Sequence, residues 1–461
     1  MGAGRRESLA WLACRPMRSL PDSALSAFFT RLDADADATA AFPGESGERQ
    51  PVHTVYGGAH LFRADTAGRL GSLALRHLER YAPRPEMLAE ALGRKGDPIV
   101  ATLFPRVVAK LEFEPVEDFR IDFEDGFGMR PDPEEDAAAI AAAEEVAMGM
   151  EAGSLPPVIG IRIKQLSREL RSRALATLDL FFTTLVDRAG GSIPQRFHVT
   201  LPKVVSVEQA AVFGDALGEL ESALGLGDGS IKAELMIEVT RSIVDEEGRV
   251  NIARLVRATG ERCVAAHFGT YDYTASCQIT AAHQGMLHPA CDFARHMMQV
   301  ALSGTGVWMS DGATNVLPVP VHAGDDLTVE QVRENTRAVH NAWRQHFDEV
   351  RHSLVHAFYQ GWDLHPAQLV TRYAAVQAFY LESMDAAAER LRNFVDQAAQ
   401  ATLVGDVFDD AATGQGLLNF FARAISSGAI PEDEASDRTG VTLEELQGRS
   451  FLEILERRRG A

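Results

Sequence analysis

The chain has 461 residues, 46% of them hydrophobic and 24% charged, which are the proportions of a water-soluble globular protein with room for a large core and added elements. Its 65 acidic and 45 basic residues leave a formal charge of −20, a surface that repels phosphate backbones and anionic lipid, so neither nucleic acid nor membrane is expected as a partner. The 4 cysteines, Cys14, Cys263, Cys277 and Cys291, form no C-x-x-C pair, which argues against a zinc ribbon or a disulfide framework and suits a reducing cytoplasm.

The first elements, over residues 1–50, read as an N-terminal helical extension. An early apolar stretch is only about seven residues long and meets an arginine at once, so no secretory leader is expected. No later run approaches the ~18 apolar residues of a membrane span, and the expected location is cytoplasmic. A helix near 22–33 leads into "DADADA" (33–38), which lacks the Gly and the later Glu of a calcium loop and reads as a solvated turn. The loop "FPGESGERQ" closes the extension.

From residue 51 the rhythm changes. Short apolar or β-branched runs recur: "VHTVYG" (52–57), "FRIDFED" (119–125), "VIGIRIK" (158–164), "FHVTLPKV" (197–204), "ELMIEV" (234–239), "CVAAHFG" (263–269), "GVWMSDG" (306–312) and "WDLHP" (362–366). Helical stretches at 134–150, 168–188, 206–224 and 328–359 separate them. Strands alternating with helices imply parallel βαβ units, and eight of them imply a closed (β/α)8 TIM barrel over residues 51–375. The longer first interval carries an insertion around 85–117. Residues 376–461 form a C-terminal helical region, in which a polar break ("VGDVFDDAATGQG") is followed by helices near 415–428 and 442–458. Thr442 and Glu445 supply a capping box for the last.

Function in such a barrel collects where strands end. Those ends carry Asp122, Glu124 and Asp125 on strand 2, then Arg162 and Lys164, Lys203, Glu238, Asp272, Asp311 and His365. Three carboxylates within "FRIDFEDG" repel one another unless a cation or proton offsets them. Side chains alternate along a strand, so Asp122 and Glu124 should share a face, with Arg162 and Lys164 beside them at the mouth. Glu238 and Asp272 end adjacent strands and can meet across the mouth, two oxygen ligands of the kind that hold Mg2+ or Mn2+. Arg162 is placed to grip a carboxylate or enolate oxygen, and Lys203 to pair with substrate or carboxylates. Other signals carry less. His352 and His356 have a metal-ligand spacing of four but no H-E-x-x-H, and read as a surface helix pair. "GLGDG" (225–229) and "LSGTG" (302–306) fit neither a dinucleotide loop nor a nucleophile elbow, and His365 reads as structural.

In order along the chain, "RIDFEDG", "IRIK", "LPKV", "LMIEV", "FGTYDYT" and "WDLHPAQL" resemble the HpcH/HpaI aldolase and citrate lyase beta-subunit family, whose segments read roughly D-L-E-D, V-R-I-N, L-P-K-V, M-I-E-T, G-x-x-D-L and I-H-P-x-Q. The resemblance covers about residues 51–375. It implies a TIM barrel, a divalent metal and cleavage or formation of a carbon–carbon bond next to a carbonyl. By position it implies that Glu238 and Asp272 are metal ligands, Arg162 binds substrate, and Asp122 and Glu124 are the acidic strand 2 motif. Lys164 stands where the family often has Asn, and Tyr271 and Tyr273 flank Asp272 in place of smaller or aliphatic neighbours.

The expected activity is therefore a metal-dependent lyase or aldolase acting on a 2-oxo acid or an acyl-coenzyme A thioester through a stabilised enolate. The base is open between metal-activated water and a strand 2 acid. One alternative is a Schiff-base aldolase using Lys164 or Lys203; another is an inactive barrel that binds a metabolite. A homo-oligomer is the expected assembly.

Overall fold

The computed structural model describes residues 20–34, 42–44, 48–396, 402–404, 407–409, 411–448 and 454. Two compact units divide the chain. The smaller comprises Met1–Ser46 with Gly304–Gly306 and contains the helix Asp22–Ala34; most of "DADADA" lies outside the described residues, as does Cys14. The larger, Gly47–Ser303 with Val307–Ala461, holds everything that follows.

Eight parallel strands close a barrel in chain order: β1 (Thr54–Gly58), β2 (Asp118–Asp122), β3 (Val158–Arg162), β4 (Phe197–Leu201), β5 (Ile231–Ile237), β6 (Cys263–Phe268), β7 (Trp308–Ala313) and β8 (Gln360–Asp363), with β8 pairing back to β1. The expected (β/α)8 barrel is what the chain forms. Each strand falls within or beside its predicted run, because a β-branched or aromatic run of about five residues can be buried on both faces only in a parallel sheet. Outward residues such as Ile121, Ile161, Val199 and Leu235 are fully buried beneath the helices. Phe181 and Phe182, on the helix Arg171–Arg188, pack against Phe197 of β4. Burial of each such side chain contributes about 1.5–3 kcal/mol.

The inward face is polar. In β2, Asp118, Arg120 and Asp122 alternate with Phe119 and Ile121. Arg120 is sealed inside the barrel and donates to Glu234 (Nη2 to Oε1, 2.5 Å; Nε to Oε2, 2.9 Å) and to Asp118. His198 and His267 flank the same Glu234 at 3.0 and 3.2 Å. A buried arginine is tolerated only where its donors are matched, and this one forms an ionic floor beneath the mouth.

The long first interval contains the helices Thr66–Tyr81, Pro85–Ala91 and Ile99–Phe113. The helix Val207–Leu224 begins at a Ser206/Gln209 capping box and stops at Gly225, whose positive φ of 69° suits glycine. After β8 come the helices Gln368–Asp396, Ala411–Ser426, Glu432–Thr439 and Leu443–Gly448. Thr442 and Glu445 form the expected capping box. The polar break instead contains a short antiparallel pair, Thr402–Val404 with Val407–Asp409. No helix among the described residues is long and apolar enough to cross a membrane.

Candidate active site

At the C-terminal ends of the strands lies a cleft of about 360 Å3, lined among others by Tyr56, Asp122, Arg162, Glu238, Asp272 and Trp362. Arg162 is its centre. Strand register sets Asp122 directly beside it, and their side chains form a two-point ion pair (Nε–Oδ1 2.7 Å, Nη2–Oδ2 2.5 Å). Asp122 also accepts the backbone N–H groups of Glu124 and Gly126 at 2.9 and 2.7 Å. Burial alone would raise the Asp122 carboxyl, but the Arg162 charge and these hydrogen bonds outweigh it and hold it below the usual carboxylate range. Its oxygens are fully engaged, so Asp122 positions Arg162 and the turn after β2. The guanidinium lies over the rings of Tyr56 and Trp362, 5.0 and 5.8 Å from their centroids. Its remaining Nη1 edge meets Glu124 at 3.1 Å and Asp125 at 3.5 Å.

Glu124 differs from Asp122 in the way that matters chemically. Burial raises its carboxyl despite Arg162 and Lys203, and its Oε2 is buried without an aligned hydrogen bond. Lys203 donates from Nζ to Glu124 Oε1 at 2.5 Å and stands 3.4 Å from Asp272 Oδ2. Lys203 has a positive φ of 50°, which turns its N–H onto Glu238 Oε1 at 2.7 Å. Burial opposes the Lys203 charge, yet Glu238 and Glu124 hold the ammonium above its ordinary range.

Glu238 is 1% exposed. Burial, with Asp272 and Glu124 adding to it, pushes its carboxyl up to about 8 against the opposing charges of Lys203 and Arg162. Gly269 makes room for it, since a Cβ there would lie 2.5 Å from Glu238 Oε2. Glu238 and Asp272 both line the cleft, and carboxylate oxygens are the donors that a hard divalent cation takes.

A family model described as a domain of unknown function, DUF6986, matches residues 31–454. The chain belongs to that family. No curated protein matches the sequence. Among solved structures, a citrate lyase of Burkholderia xenovorans LB400 aligns with this DUF6986 chain at 19% identity and a TM-score of 0.51, covering 72% of this chain and 91% of that one. A malate synthase of Haloferax volcanii, with glyoxylate, aligns at 16% identity and a TM-score of 0.44, over 88% and 99% of the two chains. Its ternary complex with pyruvate and acetyl-CoA covers 90% and 100%, at 16% identity and a TM-score of 0.44. The citrate lyase likeness is one of fold.

The DUF6986 structure gathers Asp122, Glu124, Arg162, Lys203, Glu238 and Asp272 at one mouth, and moves three other residues away. Lys164 is not beside the anions. The strand ends at Arg162, so its alternation no longer governs Lys164, whose Nζ turns outward to Glu135 Oε2 (2.7 Å) and the Phe123 carbonyl (2.6 Å). That buried ion pair removes Lys164 as a Schiff-base nucleophile. Asp311 also faces outward, receiving both Arg295 Nε contacts at 2.9 Å and the Ser353 hydroxyl. His365 accepts the Ala367 N–H, and burial with the nearby His77 charge lowers its imidazole to about 4, as befits a structural residue. Tyr56 and Trp362 were not anticipated; both lay within predicted strands at inward positions, which was the available signal. A second cavity, about 410 Å3, lies by the opposite strand ends, where its cations Arg49 and Lys110 are already paired with Glu114 and Glu117.

Proposed function

We propose that this protein is a metal-dependent carbon–carbon lyase or aldolase acting on a 2-oxo acid or an acyl-coenzyme A substrate, in the manner of the HpcH/HpaI and citrate lyase beta-subunit barrels that its motif order resembles. The observation that carries the reading is that Arg162 and the two acids Glu238 and Asp272 line one cleft at the strand ends. Citrate lyase activity in a protein of the same fold is consistent with it.

Glu238 and Asp272 would hold Mg2+ or Mn2+, which when bound would polarise the substrate oxygens and offset the negative charge of the enolate. Arg162 binds the substrate carboxylate through Nη1, displacing Glu124 from that edge. Asp122 keeps the guanidinium plane fixed, and Tyr56 with Trp362 excludes water from its face. When the bond between the α-carbon and a hydroxyl-bearing carbon breaks, the electron pair stays on the substrate as an enolate, and the hydroxyl proton passes to Glu124. Glu124 suits that task because burial raises its carboxyl, which makes it a stronger base than an exposed carboxylate. Lys203 stays an ammonium, oriented by Glu124 and Asp272, and supplies charge rather than an imine.

The test is turnover of a panel of 2-oxo acids, aldehydes and acyl-coenzyme A thioesters, with EDTA and with Mg2+ or Mn2+ restored. Cation-dependent cleavage or condensation of one panel member is the expected result. Turnover that is insensitive to chelation, or none across the panel in either direction, would refute the proposal.

A further inference from the structure

Outside the barrel, two helices bring together a set of nitrogen and oxygen donors that the proposed chemistry does not use. One is Pro289–Leu302, following β6; the other is Val329–Val355, preceding β8. Both pack behind β7, since Arg295 of the first and Ser353 of the second meet on Asp311. Toward solvent from that contact, Asp292 and His296 stand four residues apart on the first helix. His352 and His356 stand four apart at the end of the second. Residues at that spacing share a helix face, and here the two faces oppose each other.

The distances are those of a coordination shell in need of small adjustment. One ligand atom each from Asp292, His352 and His356 lies within 4.8 Å of the other two. Asp292 Oδ1 is 2.9 Å from His352 Nε2. The His352 and His356 rings have centroids 4.1 Å apart, and the His296 ring lies 6.0 Å from that of His356. Tetrahedral zinc with bonds of about 2.0–2.1 Å separates its donor atoms by about 3.3 Å. Asp292, His352 and His356 are the nearest three, and His296 is the fourth donor that must swing in from the same face.

The orientation of His356 is the more telling observation. Its Nδ1 lies 2.8 Å from the carbonyl oxygen of His352. A carbonyl can only accept, so Nδ1 carries the proton, and in the neutral ring Nε2 presents a bare lone pair. Metal-binding histidines are commonly held in this way, one nitrogen donating to a backbone carbonyl and the other facing the ion. Gln299 of the first helix donates to the His356 carbonyl at 2.5 Å and fixes that corner. Arg295 donates to Asp292 at 2.8 Å and orients the carboxylate as an outer partner. A helix-to-helix ion pair would account for Asp292 and His352, but it would leave His296 and the lone pair of His356 without a purpose.

We infer that Asp292, His296, His352 and His356 form a second metal site, a zinc site that fastens the end of the long helix to the helix carrying Arg295. Imidazole donors favour zinc over magnesium, whereas the all-oxygen set at the barrel mouth favours the reverse. The two sites therefore select different cations. Through Arg295 the ion steadies Asp311 and the Met286 carbonyl, which Arg295 Nη2 holds at 2.8 Å.

The full chain, stripped with EDTA and dialysed, would be titrated with zinc and with cobalt(II) in excess Mg2+. The expected result is one equivalent of tightly bound zinc that Glu238→Gln retains. Cobalt should give the intense visible bands of tetrahedral coordination. Zinc should raise the melting temperature of the wild type, since it binds only the folded chain. His352→Gln and His356→Gln should each weaken zinc at least about tenfold, the lower range for loss of even an outer partner, and remove the thermal gain. His296 is exposed, so His296→Gln keeps the fold and should shift the cobalt spectrum. Circular dichroism checks the folding of each variant. Zinc binding that is absent, that Glu238→Gln abolishes, or that the folded His356→Gln and His352→Gln proteins retain unchanged would overturn the inference.

Discussion

Asp122 and Glu124 sit two residues apart, touch the same arginine, and should respond to neutralisation in opposite ways. The fold favours the charged form of Asp122, whose carboxyl is held low, and disfavours that of Glu124, whose carboxyl is raised. Asp122→Asn removes one half of a buried two-point pair and turns an amide N–H toward donors that need an acceptor. Loss of a buried partner costs about 3–5 kcal/mol; Glu124, still 3.1 Å from the guanidinium, places the expected loss near the lower end, about 3 kcal/mol. Glu124→Gln removes a charge that burial already opposes, so its stability should lie within about 1 kcal/mol of wild type. Activity should fall in both, by at least about tenfold in kcat/KM, or roughly 1.4 kcal/mol of transition-state stabilisation. Urea unfolding of both variants, with kcat/KM on the best panel substrate, separates positioning from contact. Equal midpoints for the two variants, or wild-type kcat/KM in Glu124→Gln, would refute this division of labour.

In the metal-free protein the Glu238 carboxyl near 8 means the folded state binds more protons than the unfolded chain between about 4.5 and 8, so stability should fall as pH rises through that window, and Glu238→Gln should flatten the slope measured by chemical denaturation. Cation binding must displace that proton, so Mg2+ or Mn2+ affinity by calorimetry should be about 50-fold tighter at pH 8 than at pH 6, with a flat profile counting against Glu238 as a ligand. Gly269→Ala, which drives a Cβ to 2.5 Å from Glu238 Oε2, should weaken the same cation at least about tenfold while leaving circular dichroism unchanged; wild-type affinity would remove the cradle role. Borohydride added with substrate should leave no adduct on Lys203, and a reduced adduct found there by mass spectrometry would restore the imine mechanism.

The barrel was readable because each βα unit repeats one physical pattern, an apolar run ended by a charged group and followed by an amphipathic helix. The mouth was readable for the same reason. Alternation places Asp122 on the inward face of β2, and the turn that Asp122 holds through the Glu124 and Gly126 N–H groups brings Glu124 to the same arginine. It failed at Lys164 because alternation lasts only as long as the strand, and β3 stops at Arg162. Asp311 was misplaced because its partner Arg295 belongs to a helix that periodicity had not singled out. The Arg120–Glu234 floor was visible in principle, since Asp118, Arg120 and Asp122 occupy every second position of "DFRID". A polar stripe on a strand reads equally well as solvent-facing, and only closure of the barrel decides that it points inward. His352 and His356 carry no motif in the sequence, and the Asp292 that meets His352 comes from a helix about sixty residues earlier.

The crowding of "FRIDFEDG" has its answer in the charge balance of the whole mouth. Five carboxylates, Asp122, Glu124, Asp125, Glu238 and Asp272, converge on two cations, Arg162 and Lys203. Asp122 is satisfied by one of these and Asp125 is mostly in water, at 62% exposure. The excess falls on Glu124 and Glu238, and those are the two carboxyls that burial raises. A mouth built only for stability would not keep both, because replacing either with a neutral residue would relieve the strain. Their retention makes sense if the missing positive charge arrives with the ligands. A divalent cation relieves Glu238, and a substrate carboxylate that takes the Arg162 edge releases Glu124 to handle a proton. On the proposed chemistry electrostatics would also set the order, with the cation before the anionic substrate, since without it the cleft presents more negative charge than positive to an incoming carboxylate.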